Sequence, residues 1–167
     1  MLPETVVLCP SASGSAAPPW SEAAHVCEQA GVRVVEPILP ADDGAAADTP
    51  SARMAHWVAT CAVSIAKAGA RAPVLLVAHG QSGLMLPALG FAQRAARRGL
   101  HGYVFVDAAI PPAGTGGGDW PDAPVTYIAS PAAPADAVMQ AELRRWNVVR
   151  IDGPDPATAL RDLVTSD

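Results

Sequence analysis

The stretch that most constrains the fold is Ala72–Gly90, which reads APVLLVAHGQSGLMLPALG. An unbroken apolar run, Val74-Leu75-Leu76-Val77, is followed by Ala78-His79-Gly80-Gln81-Ser82-Gly83 and then by an apolar helical pattern from Leu84. A strand with no polar alternate positions is covered on both faces, as in a parallel sheet with helices on each side. The turn between such a strand and its helix stands at the carboxyl edge of the sheet, where α/β proteins keep their sites. This stretch therefore predicts both a layered α/β fold and the position of its crevice.

The flanking sequence supplies the remaining layers. Thr5-Val6-Val7-Leu8-Cys9 reads as a first buried strand, followed by a loop rich in Ser, Ala, Gly and Pro over 10–19. Trp20–Ala30 has helical spacing, with Ser21 as N-cap and Gly31 as stop, and Val32–Glu36 is a second strand. The small, acidic segment Ala41–Pro50 reads as a loop. Ser51 is then expected to cap a helix to Ala68, with Met54, Trp57, Val58, Cys61, Ile65 and Ala68 on one stripe and Gly69 ending it.

Beyond the central strand, a helix from about Gly83 to Arg97 carries Arg94, Arg97 and Arg98 at its end, read as a solvated terminus that complements the helix dipole. Gly102–Asp107 is a fourth strand, Pro111–Pro121 a Gly- and Pro-rich loop, and Val125–Ala129 a fifth strand. Ala133–Arg145 is a helix, Val148–Ile151 a last strand, and Pro156–Val164 a terminal helix capped by Asp155. Six strands alternating with helices predict one α/β domain over 1–167, three-layered, with a doubly wound, mostly parallel six-stranded sheet. If the second strand lies outside the first, the winding reverses between the first and third. The crevice is then formed by Cys9–Gly14 facing His79–Gly83.

Charge and cysteine content exclude several classes. A formal charge of −5 with Lys67 as the only lysine argues against nucleic acid, which requires a clustered basic surface. Cys9, Cys27 and Cys61 are odd in number and form no metal-ligand spacing, so neither a metal nor another cofactor is expected, and a reduced cytoplasmic setting is the default. No apolar run approaches the roughly 18 residues of a membrane span, and Met1–Cys9 lacks the basic start of a signal peptide. The expectation is a soluble, cytoplasmic protein without a membrane partner, with a homodimer left open.

In order and spacing, PVLLVAHGQSGL and YVFVDAAIPP resemble the α/β-hydrolase superfamily, in particular small esterase-like members. The opening segment 5–40 with Trp20, and the later APVTYIAS and RRWNVVRIDGPDP, extend the resemblance over nearly the whole chain, with the usual cap cut down to Pro111–Pro121. The resemblance implies a serine at the apex of the turn, a histidine after the last strand and an oxyanion hole beside the first. The alignment puts Gly80 at the apex, and glycine offers no attacking atom. No histidine follows His101, and the loop after the last strand reads Asp152-Gly153-Pro154-Asp155. Where the family commonly has His-Gly after its first strand, this chain has Cys9-Pro10, and proline lacks an N–H donor.

The residues leave several roles open. Shifting the register by two makes Ser82 a nucleophile, against its plainer role as a helix cap. His79 stands next to the apex, and Asp107 ends a strand on the crevice side, where it can act as acid or base or simply cap a turn. Cys9, Ser11, Ser13, Gly80, Gln81 and Gly83 are the candidate ligand-binding residues, because their backbone and short side chains surround the expected crevice. Loss of a triad member costs about 10⁴ in turnover, which weighs against ester hydrolysis. The leading expectation is a hydrolase-fold protein with a degenerate triad that binds a small apolar molecule. The alternatives are a cyclase, lyase or isomerase acting through Asp107, His79 or Ser82, a serine esterase using Ser82, and a non-catalytic interaction subunit.

Overall fold

The structure, a computed structural model, describes residues 1–12, 17–40, 49–116 and 119–166. Ser13 and most of the acidic segment before the second helix lie outside the described residues. Strands β1 (Thr5–Leu8), β2 (Arg33–Val35), β3 (Val74–His79), β4 (Leu100–Val106), β5 (Val125–Ala129) and β6 (Asn147–Arg150) form one sheet in the order β2-β1-β3-β4-β5-β6. Every pairing is parallel, including Thr5 with Val74 and Val77 with Val104. The sheet is thus wholly rather than mostly parallel, and its winding reverses between β1 and β3 as expected.

Alternation along the strands divides the core between two helix layers. Val6, Leu8, Leu75, Val77, Val104, Val106 and Ile128 pack under α1 (Ser21–Gln29) and α5 (Ala157–Thr165). Val7, Leu76, Ala78, Phe105 and Tyr127 face α2 (Pro50–Lys67), α3 (Leu86–Ala95) and α4 (Ala135–Leu143) on the other side. Each strand therefore has an apolar partner on both faces, which explains its unbroken apolar sequence.

Several helix starts differ from the sequence reading. Thr49, not Ser51, caps α2 by accepting the Ala52 N–H at 3.2 Å, because Pro50 takes the first helical position and the cap stands just before it, two residues earlier than expected. Trp20, not Ser21, stands at the start of α1 and makes no side-chain cap; its indole instead donates to the Cys9 carbonyl at 2.7 Å. Asp155 accepts the Ala157 N–H at 2.9 Å, but Pro156 is the residue flanking α5. Within the predicted stripe of α2, Trp57, Cys61 and Ile65 are buried, whereas Met54 and Ala68 are exposed.

The segment after β3 departs most from expectation. No α-helix starts at Gly83 or Leu84; a 3₁₀ turn runs over Gly80–Met85, and α3 begins at Leu86. Pro87 has no N–H to return to the Gly83 carbonyl four residues back, so the Leu86 N–H takes that carbonyl in the tighter pattern.

Strict alternation also fails between β4 and β5, whose connection contains no helix among the described residues. Aromatic side chains fill the layer instead. Trp120 meets Tyr103 edge-on at 5.7 Å and Trp146 at 6.0 Å, while Trp146 stacks on Phe105 at 5.2 Å. The Tyr103 hydroxyl donates to Asp122 at 2.8 Å, and Arg94 pairs with the same carboxylate at 3.1 Å. Arg94 is therefore a tie between α3 and this connection rather than part of a solvated helix end. No helix among the described residues is long and apolar enough to cross a membrane.

Candidate functional site

All strands run the same way, so Cys9, His79, Asp107 and Ser130 end up along one edge of the sheet. At its centre, immediately after β3, Gly80 adopts a left-handed backbone with φ of 60°. An L side chain there would meet nothing within 4 Å, so the conformation rather than crowding favours glycine. The Gly80 carbonyl accepts the Ala109 N–H at 2.9 Å and ties the turn to the loop after β4.

Ser82 lies inside this turn with no exposed surface, and its hydroxyl donates to the His79 carbonyl at 2.7 Å. A 3₁₀ turn brings residue 82 back over residue 79, and the short serine side chain closes it. Gly83 is buried for a different reason from Gly80. A Cβ there would lie 2.3 Å from the Ala109 carbonyl oxygen and 3.0 Å from the Ala108 Cβ.

On the α2 side of the apex, Gln81 is exposed and faces a cleft of about 320 Å³ whose walls include Ala12, Arg53, Met54, Trp57 and Leu84. Among the described residues the wall is mainly apolar, with Arg53 as its charged side chain. Trp57 is 3% exposed, and its buried indole N–H has no hydrogen-bond acceptor. A buried donor left unpaired costs stability, and this nitrogen presents no accessible surface to the cleft.

On the α1 side, the half-buried His79 ring meets Trp20 edge-on with centroids 6.1 Å apart. Burial lowers the His79 pKa below the ordinary 6.5, and the nearby Asp107 carboxylate only partly opposes that shift. Asp107 itself has a positive φ of 46° just past β4. Its carboxylate accepts both the Ser130 backbone N–H, at 2.8 Å, and the Ser130 hydroxyl. Ser130 also accepts the Ala132 N–H at 3.1 Å, so the ends of β4 and β5 are joined by one small polar network.

Of the residues singled out from sequence, the structure brings Gln81 to the cleft wall, leaves Gly80 beside it in the turn, and sets His79 near Asp107. Ser11 lies in the loop two residues past Cys9, and Ser13 is outside the described residues. Cys9 and Ser82 present no surface to a ligand, and Gly83 is buried as well. The Cys9 thiol packs in the α2-side core, where burial first and Cys61 second raise its pKa well above 9.0, the opposite of an activated nucleophile. Among the described residues no group of three His, Cys, Asp or Glu side chains could hold a metal ion.

Trp57, Arg53 and Ser130 were not recognised as site residues from sequence. Trp57 is legible there only as part of an apolar helical stripe, and Ser130 only as the polar residue that ends β5 as Asp107 ends β4.

No protein-family model matches the chain, and no curated protein matches it in sequence. Solved structures do match it in fold. A protein assigned to the hydrolases of the α/β superfamily from Xanthomonas campestris superposes with a TM-score of 0.63 at 14% identity, covering 97% of this chain and 94% of its own. The RedJ thioesterase of the prodiginine biosynthetic pathway in Streptomyces coelicolor gives 0.61 at 15% identity over 96% and 84%. A bacterial heroin esterase gives 0.55 at 9% identity over 99% and 76%. The chain has the α/β-hydrolase fold.

Proposed function

We propose that this protein is a hydrolase-fold binder that lacks both the nucleophilic serine and the triad histidine, and that it holds a small apolar molecule beside Gly80 without cleaving an ester. The observation that carries the reading is the left-handed Gly80 directly after β3, with Ser82 buried and donating to the His79 carbonyl. The strained position at the strand end thus has no side-chain oxygen, and the nearest serine spends its hydroxyl on the backbone. No histidine follows His101 to act as base after β6. The mainly apolar cleft between the turn and α2 supports an apolar ligand.

The test is turnover of p-nitrophenyl acetate and butyrate, and of an acyl thioester, by the wild-type protein and Ser82→Ala. The reading expects both proteins to remain at the buffer rate. Wild-type turnover that Ser82→Ala abolishes would make the chain a serine hydrolase and overturn it.

A second reading draws on the carboxylate at the end of β4. Ser130 fixes the Asp107 side chain, and its charge acts on a half-buried His79 held below its usual pKa. That pairing suits proton transfer in a lyase or isomerase. This reading requires Asp107→Asn to abolish a measured conversion while leaving ligand affinity intact.

A further inference from the structure

A second cleft, of about 630 Å³, opens between the β4-to-β5 connection and the carboxyl end of α4, and shares no lining residue with the cleft at Gln81. Its apolar wall comes from Pro112, Pro121, Trp120 and Trp146, and its charge from Arg144 and Arg145. Both tryptophans are only half-buried, so the core does not use up either ring. Arg145 has a left-handed backbone with φ of 58° where α4 turns into β6, and one tight turn thus brings Arg144, Arg145 and Trp146 to the wall. The Arg144 guanidinium lies over the Trp146 ring, 5.2 Å from its centroid. A guanidinium held over a ring is pre-organised, and it keeps its in-plane N–H donors free for an anion.

Neither arginine makes an ion pair among the described residues. Acids close by in the chain are engaged elsewhere: Glu142 pairs with Arg150 at 2.7 Å and Asp122 with Arg94 at 3.1 Å. Asp119 is exposed in the connection but does not line the cleft. Residues 117 and 118 of the connection are glycines, so they bring no charged side chain. The carboxyl end of α4 offsets about half a unit of the two positive charges, which leaves the wall positive.

We propose that this second cleft binds an aromatic anion, its flat ring system against Trp120 and Trp146 and its carboxylate or sulfonate received by Arg144 and Arg145. An aliphatic acid would meet the charge but not the rings, and a neutral aromatic would leave both guanidinium groups without a counter-charge. The volume of about 630 Å³ lies well inside the range of small-molecule sites, roughly 300–1,000 Å³.

The experiment titrates folded protein, well below its melting temperature, with anilinonaphthalene sulfonate and with the neutral N-phenylnaphthylamine, reading probe fluorescence. The proteins are wild type, Arg144→Gln with Arg145→Gln, and Arg161→Gln, which removes a like charge from α5 on the far face of the sheet. The sulfonate should bind wild type about tenfold tighter than the neutral probe, and the double substitution should remove about that factor for the sulfonate alone. Arg161→Gln should leave both affinities unchanged. Melting curves control for folding, and Arg145→Gln by itself, at an exposed position, gives the same test at about threefold if the double variant does not fold. Equal binding of the two probes, sulfonate binding that survives loss of the arginines, or binding of neither probe to wild type would each overturn the proposal.

Discussion

Two connections at the same edge of the sheet solve opposite problems. The β3-to-α3 turn is held almost entirely by backbone: Gly80 in a left-handed conformation, Gly83 pressed on the Ala109 carbonyl, and the Ser82 hydroxyl closing a 3₁₀ turn. The β4-to-β5 connection has no helix among its described residues and is held by side chains, namely Trp120 and Trp146 over Tyr103 and Phe105, with Asp122 bonded to Tyr103 and Arg94. On the proposed reading, the first keeps its shape without the group that would make it reactive. The second is filled by rings where its described residues form no helix, beside a cleft of about 630 Å³ lined by Trp120 and Trp146. On the proposed reading, conformation and chemistry are separable in this molecule: the turn is fully formed and carries no nucleophile.

That contrast makes different substitutions costly in the two places. The largest effect is expected at Gly83→Ala, whose Cβ has backbone rather than a movable side chain at 2.3 Å; urea denaturation should show a loss of about 3 kcal/mol. Trp120→Ala should cost about 2 kcal/mol by the same measurement, less than a fully enclosed ring because the residue is only partly buried. If the two losses came in the reverse order, the backbone-versus-ring distinction would be broken. Gly80→Ser sharpens the comparison inside the turn itself. It meets open space and only a conformational penalty, so it should fold with a loss of about 1 kcal/mol and still hydrolyse no ester, because no histidine serves the new hydroxyl.

The smallest effect concerns pH. Burial places the His79 pKa below its unfolded value near 6.5, so the unfolded chain binds more protons as pH falls through that window. The stability linked to His79 is therefore present above about pH 6.5 and is lost on acidification towards the lower folded value. His79→Gln should flatten, without abolishing, the drop in urea midpoint between pH 7 and pH 5, since burial also lowers the pKa of His101.

The sheet was legible in the sequence because burial on both faces leaves no choice of residue type: Val6-Val7-Leu8 and Val74–Val77 can be little else. Gly31 and Gly69, with φ of 81° and 65°, were readable as helix stops for an equally local reason. What could not be read depends on contacts between distant residues. Trp20 reaches the Cys9 carbonyl instead of Ser21 capping the helix, and Ser130 meets Asp107 across two strands. Pro87 converts the start of a predicted helix into a 3₁₀ turn, an effect visible only once the partner of the Gly83 carbonyl is known. The sequence reading set a crevice between Cys9–Gly14 and the turn at His79–Gly83; the cleft that Gln81 lines is walled instead largely by α2, where Trp57 had an apolar reading.

The central claim is that the turn after β3 holds a ligand without a nucleophile. Its most direct test is the intact mass of the native protein after incubation with an excess of an alkyl fluorophosphonate, which releases fluoride on bonding phosphorus to an activated serine oxygen. The account predicts an unchanged mass, because Gly80 has no side chain and the Ser82 hydroxyl is buried and engaged with the His79 carbonyl. A single stoichiometric adduct that maps to Ser82 and disappears in Ser82→Ala would contradict it.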